Sequence, residues 1–551
     1  MRRGALSLLL AASACVSPSS GGAVAGPGAA STADARVEGI VLEQRSHRPS
    51  MTASPRYASP VEHSLSAPET ELLRAISTAR FEHDPALSRM MRGLAAATPS
   101  RNDMPPELVD GLLAWNGIAD PPPLVMVVEV NPDPEGCDRT VADSCRDPMR
   151  ALAEEVASAL SQPGNWYVGV GIAKAESGAT RMMVGALDRG LELEPLAAEV
   201  ARGKSFALEG RVIGQRSRPE VHLVDAGGGW QKVPLVRASD GVIRAKLSCG
   251  HESGVYKVEV FANGAHGPEV VANFPVYCGV RRPDEIDYTL ERVGPKVSAD
   301  AVAKANFAEL NAARAAAGLS PLAWDEKAAR LARAHSEDMV RSGFVGHISP
   351  TTGDAAQRFA KAGVATAIVR ENIGRGYGPH SIHLSLMNSP GHRANLLADD
   401  VTHVGIGVVY GPPEGTGASA PRPIFLTQKF YAAAGQDAPD DPVAALRSGV
   451  DAQLRAAGAA ALRWDDQLSE VAQAHAERLA AGKSGLAEAE LRRRVFGLGY
   501  ASMVQHRVES ASFRGFTSMD LWREAGTQAV GFGLARTPKG EKFVLVLFFA
   551  S

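Results

Sequence analysis

An internal duplication constrains this chain more than any other feature. Ala316-Ala317-Gly318, Leu322, Trp324-Asp325, Ala332, Ala334-His335 and Glu337 recur as Ala456-Ala457-Gly458, Leu462, Trp464-Asp465, Ala472, Ala474-His475 and Glu477, at a constant offset of 140 residues. Both segments read as helices with an Ala-rich, small-residue face. Downstream, Val404-Gly405-Ile406-Gly407 recurs as Val530-Gly531-Phe532-Gly533, and a second apolar strand follows each. Helices first and a Gly-punctuated strand pair afterwards predict an α+β unit. A fainter copy lies upstream, where Asp84 precedes an apolar helix and Val168-Gly169-Val170-Gly171 follows. The copies are expected over 68–200 (divergent), 286–435 and 441–551.

Between the first two copies the pattern changes. Ala207–Val212, Val221–Val224 and Val242–Leu247 cluster β-formers between Gly and Asp turns. Tyr256, Val258 and Val260 share one strand face, with Lys257 and Glu259 on the other, as a half-buried strand requires. Residues 201–285 are therefore expected to form a small β-sandwich of immunoglobulin-like type.

The first residues bear on the compartment. Arg2 and Arg3 precede a short apolar run, Ala5 to Ala12, which rises only ~12 Å as a helix, too little for a bilayer. Residues 1–14 read as a signal peptide. Ala12-Ser13-Ala14-Cys15 resembles the lipobox of bacterial lipoproteins, with Ala12 where that motif usually opens with Leu. Lipidation of Cys15 is the expectation, with soluble secretion the alternative. The cysteine count is five, and setting Cys15 aside leaves Cys137 with Cys145 and Cys249 with Cys278 as two local disulfide candidates. Residues 15–67, rich in Ser, Pro, Gly and Ala, are expected to be a disordered tether. With 58 basic and 61 acidic residues the net charge is −3, which excludes a dedicated nucleic-acid binder.

The middle copy carries further ordered motifs: Leu310-Asn311-Ala312-Ala313-Arg314, Gly346-His347-Ile348-Ser349-Pro350, Arg370-Glu371-Asn372-Ile373-Gly374, Asn388 to Leu397, and Thr427-Gln428-Lys429-Phe430. On these, residues of about 300–432 resemble the CAP superfamily (cysteine-rich secretory proteins, antigen 5 and pathogenesis-related proteins) in its bacterial form. The resemblance implies an α-β-α sandwich, with degenerate CAP-like units on either side. It also implies a cleft built from His347, Glu371 and His392. Ser389 stands where many eukaryotic members have a second cleft glutamate, Leu386 where a tryptophan is common, and Arg370 where a glycine is usual.

Two imidazoles and a carboxylate could hold Zn²⁺ or another divalent metal, with His347 and His392 as the ligands, although no HExxH pair supports this and no cofactor is required. The expected function is binding: a small apolar ligand or lipid, or an envelope protein, with membrane contact through Cys15 and no nucleic acid. One alternative is a metal-dependent hydrolase or protease with Glu371 as general base. Another is a structural envelope protein with a vestigial cleft. In the C-terminal copy Leu486 falls near the place of His347, Glu509 is a loose match for Glu371, and the Ser-Pro-Gly-His-Arg loop is missing. His335 and His475 are expected to serve helix packing or a backbone hydrogen bond. Asp354 and Arg358 are expected to cap and pin a helix, and His380 and His383 to lie in a solvated loop or helix start.

Overall fold

The computed structural model describes residues 38–551 apart from 77–78, 100–103, 176, 238–240, 414–421, 436–437, 440, 457, 518, 520, 525–527 and 539. The signal segment and Cys15 lie outside the described residues.

Three four-stranded sheets repeat one topology. A two-residue strand runs parallel to a long strand, that strand forms an antiparallel hairpin with the next, and a fourth strand closes the far edge. In the middle unit these are Ala323–Trp324, His403–Tyr410, Ile424–Ala433 and Thr366–Gly376. The first unit uses Glu82–His83, Trp166–Lys174, Thr180–Asp188 and Leu124–Val130, and the last uses Arg463–Trp464, Ala529–Arg536, Phe543–Ala550 and Met503–Ser510. The faint upstream copy thus has the same strand order as the two clear ones.

The shared residues explain the shared geometry. Asp84, Asp325 and Asp465 each accept a hydrogen bond from a backbone N–H three residues on, capping the helix that follows. Each also donates its own N–H to the long strand, to Val168 O, Val404 O and Val530 O. The capped helix then lies across two strand glycines. A Cβ on Gly171, Gly407 or Gly533 would collide with helix backbone at Arg92, Arg333 or Gln473, so only glycine admits the helix this close. The small face of helix Glu326–Ser342, with Ala328, Ala329, Ala332 and Ser336 buried, is the other half of that fit. In the middle unit helices Ala299–Ala316, Pro379–Asn388 and Pro390–Leu396 pack on the opposite sheet face around Leu310, Ile382, Leu386, Ile406 and Phe430. The layers are α-β-α.

Residues 205–278 supply most of two further sheets, ordered Leu235–Arg237, Val242–Ser248, Ser205–Val212, Leu191–Leu193 and Trp230–Val233, Ser217–Val224, Gly254–Gly264, Gly267–Cys278, Glu199–Val200. They enclose one core containing Leu208, Val221, Leu247, Val258 and Phe274. Cys249–Cys278 links the two sheets, and Cys137–Cys145 closes a short loop in the first unit. The sandwich also takes 191–200 from what was expected to be the first unit, because those strands find backbone partners in its sheets.

Two further expectations need correction. Residues 15–67 are not all tether. Ile40–His47 pairs along its whole length with Ile286–Val293, and Tyr57 is fully buried, its hydroxyl donating to Pro275 O at 2.7 Å. The Ser/Pro-rich composition hid a strand whose partner is more than two hundred residues away. His380 and His383 do fall at a helix start, that of Pro379–Asn388, but with less solvation than expected: His380 is half-buried with its Nδ1 3.0 Å from Glu309, and His383 is buried.

Candidate functional site

Glu371, on strand Thr366–Gly376, sits directly across from Lys429, which in turn faces Gly405. These three positions share the sheet face that helix Glu326–Ser342 covers. Glu371 is 7% exposed and Lys429 is fully buried. One carboxylate oxygen, Oε1, meets His347 Nδ1 at 3.1 Å, with His335 Nε2 at 3.9 Å. The other, Oε2, meets Arg358 Nη2 at 2.7 Å and pairs with Lys429 Nζ. Burial alone would raise the Glu371 pKa, but Lys429, His347 and Arg358 outweigh it and hold the carboxyl well below the usual carboxylate range. Burial lowers Lys429 to about 8.

His347 lies in the loop between helices Glu326–Ser342 and Ala355–Lys361. Three bonds shape that loop: Ser349 Oγ to Asp338 at 2.5 Å, Arg358 Nη2 to His347 O at 3.2 Å, and a 3.0 Å contact of His335 Nε2 with Gly346 O. His335 thus makes the expected backbone contact, and desolvation lowers it to about 4. Asp354 caps its helix as expected, but Arg358 also belongs to the site. His392 opens helix Pro390–Leu396. Its Nδ1 meets Ser389 Oγ at 2.7 Å, and burial, with the neighbouring His347 charge, pushes it down to about 3. Asn372 Nδ2 donates to His392 O at 3.1 Å, tying this turn to the Glu371 strand.

The structure therefore brings His347, Glu371 and His392 to one place, but not as three free ligands. Among the described residues, the one trio of His, Cys, Asp or Glu with converging donor atoms is Asp133, Cys137 and Cys145, whose sulfurs are joined in a disulfide. Glu371 already has three partners, His347, Arg358 and Lys429, and is no free third ligand. A three-ligand metal centre does not fit this arrangement.

The cleft is a boundary between domains. It measures about 640 Å³, with His347, Ile348, Ala355, Val369, Glu371 and His392 on one side, and Arg218, His222, Phe261 and Pro268 of the sandwich on the other. Both histidine segments rest on the sandwich. Ile348 N–H donates to His266 O at 3.1 Å, and Gly391 N–H donates to Glu259 at 2.9 Å. A Cβ on Gly346 would come within 2.6 Å of His266 Cβ, and one on Gly391 would strike the Phe261 ring. The sequence pattern had put Glu259 on the outer face of its strand. It is on that face, but the cleft segment covers it completely. Sequence reasoning missed Lys429, Arg358 and Glu259 as parts of the site. The one available signal was Lys429 inside a quoted family motif.

A family comparison agrees with this architecture. Residues 307–430 match the model of the CAP family, described as the cysteine-rich secretory protein family, and that segment is a CAP domain. The chain is 34% identical over 138 residues to the uncharacterized membrane protein YlbC of Bacillus subtilis (strain 168), covering 23% of this chain and 40% of that one. It is 39% identical over 100 residues to the uncharacterized protein YkwD of the same organism, covering 18% and 39%. The chain thus spans about two fifths of the length of these curated relatives. An extracellular SCP-domain protein of Bacillus anthracis is similar in structure over 44% of this chain and 68% of its own, at 20% identity and a TM-score of 0.21.

Proposed function

We propose that this is an exported protein that acts by binding, and that the cleft between sandwich and CAP domain takes a small, largely apolar ligand with a polar group at the histidines. The observation that carries the reading is the state of Glu371. A carboxylate paired with Arg358, Lys429 and His347 has little affinity for a proton, so it is a poor general base for a hydrolase. The cleft walls, by contrast, offer Phe261, Pro268, Ile348, Ala355 and Val369 around a few polar groups, the usual make-up of a ligand site. Export is supported by the N-terminal pattern and by two disulfides, and attachment to a membrane through Cys15 by the small residues before it.

The test is native mass spectrometry of the full chain prepared without chelators, beside the His347→Ala/His392→Ala variant. Extra mass present in the wild type and lost in the variant is the expected result, and its value separates a metal from an organic ligand. An apo mass in both overturns the binding reading and favours a scaffold. Attachment is tested separately: Cys15→Ser should release the protein from membranes, and unchanged membrane association would refute lipidation.

A further inference from the structure

Ser389 stands where many eukaryotic members of the family have a second cleft glutamate, yet a carboxylate stands directly behind it. Glu259 comes from strand Gly254–Gly264 of the sandwich, 130 residues earlier in the chain, and is fully buried. Its Oε1 accepts from Ser389 Oγ at 2.7 Å and its Oε2 from Gly391 N–H at 2.9 Å. Ser389 Oγ in turn lies 2.7 Å from His392 Nδ1. The chain Glu259–Ser389–His392 is continuous, and among the described residues no protein group bonds to His392 Nε2.

The hydrogen count along this chain decides what His392 offers the cleft. A serine hydroxyl has one hydrogen. An ionised Glu259 only accepts, so Ser389 gives its hydrogen to Glu259 and its lone pair to His392. Nδ1 must then carry the imidazole hydrogen, which leaves a lone pair on Nε2. We propose that Glu259 is a positioning residue of the cleft: acting from the sandwich through Ser389, it fixes His392 as a hydrogen-bond acceptor, so the ligand presents a donor, a hydroxyl or an amine, at that point. The proposal deepens the binding reading and rests on it for the ligand alone.

His347 meets a carboxylate directly. Ionised Glu371 accepts from its Nδ1, so that nitrogen holds the hydrogen. Burial raises Glu259 to about 7, against the hydrogen bonds from Gly391 and Ser389, so the carboxylate is ionised above that pH; Lys257, two residues away on the same strand face with its Nζ buried and without a hydrogen-bond partner, is itself lowered to about 7 by burial.

The test reads the tautomer directly, by ring ¹⁵N shifts of labelled histidine in the full chain at mildly alkaline pH, where Glu259 is ionised. Wild-type His392 should carry its hydrogen on Nδ1. Glu259→Gln should invert this. The amide oxygen keeps Gly391 N–H, the amide nitrogen donates to Ser389, and Ser389 then donates to Nδ1, moving the imidazole hydrogen to Nε2. Ser389→Ala, which disturbs packing less, should abolish the single preferred tautomer, while His347 stays unchanged in both variants. A His392 spectrum identical in wild type, Glu259→Gln and Ser389→Ala overturns the proposal. For the ligand, decanol and decanoate are weighed against each other by native mass spectrometry. Wild type should prefer decanol, and Glu259→Gln should shift the ratio toward decanoate by about tenfold, the scale of one hydrogen bond. An unchanged ratio refutes the ligand class. Binding of neither probe with an inverted tautomer would leave the relay standing and count against the binding reading.

Discussion

The middle and C-terminal units share a sheet order, a capping aspartate, a glycine pair and a helical histidine, yet their cleft positions differ throughout. Strand register makes the comparison residue by residue. Glu371 and Gly405 both face Lys429 in the middle unit, and Gln505 and Gly531 both face Phe548 in the last. The counterpart of Glu371 is therefore Gln505, not Glu509. The buried ion pair has become an amide beside a phenyl ring. His475 keeps a trace of the older arrangement, lying 3.2 Å from Gln505 Nε2 and accepting Leu486 N–H. In the first unit the same register gives Val125 opposite Gly185, with Gly169 on the other side. One backbone thus carries three solutions, and at these register positions only the middle one buries charge. The scaffold is held by the aspartate cap and the glycine row, which leaves the adjoining positions free to gain or lose chemistry.

The largest effect should come from Glu371→Gln. It leaves Lys429 and Arg358 buried without their counter-charge, and about 3–5 kcal/mol of stability should be lost in chemical denaturation. The double variant Glu371→Gln/Lys429→Phe, which copies the C-terminal pair, should recover part of that loss. A single variant as stable as wild type would break the contrast. Next is Gly391→Ala, which drives a methyl group into Phe261 and should cost about 1–3 kcal/mol. Adding Phe261→Ala should relieve it, and additive losses in the double-mutant cycle would mean the two segments do not touch in solution. Gln505→Ala occupies the register position of Glu371 but on an exposed side chain, so its cost should stay within about 0.5 kcal/mol.

A separate effect is one of titration. His335 and His392 have folded pKa values of about 4 and about 3, below the ordinary 6.5. Their contribution to stability is present above 6.5 and is lost as pH falls through that window toward 3, because the unfolded chain takes up protons first. Glu371, also lowered, adds to the loss below its ordinary 4.5. Ring shifts should therefore show His392 neutral at pH 5, and a midpoint near 6.5 would contradict the buried geometry.

The repeat, the glycine row and the disulfide partners were legible in the sequence, since each rests on local spacing, whereas the grouping of His347, Glu371 and His392 came only from the family resemblance. The composite nature of the site was not. Alternation along Tyr256–Val260 says which side of the strand Glu259 occupies, but nothing about what lies over that side. Burial by another domain depends on a contact 132 residues away, made possible by the missing Cβ of Gly391. Lys429 was hidden for a related reason. A lysine in a strand reads as solvent-facing, and only the cross-strand register shows that it buries against Glu371. Ile40–His47 was masked by its neighbours' composition, although its own residues are adequate β-formers.

That strand has a mechanical consequence. Ile40 faces Val293 at one end of the ribbon and His47 faces Ile286 at the other, while Gly294 N–H donates to Gly39 O just beyond the first pair. The polypeptide before residue 39 and the CAP domain after residue 294 thus leave the ribbon from the same end. A pull between them loads the eight residue pairs in succession rather than together, as a zip fastener is drawn. The first pair to part would be Ile40 with Val293, both packed against the CAP-domain core, and the last His47 with Ile286.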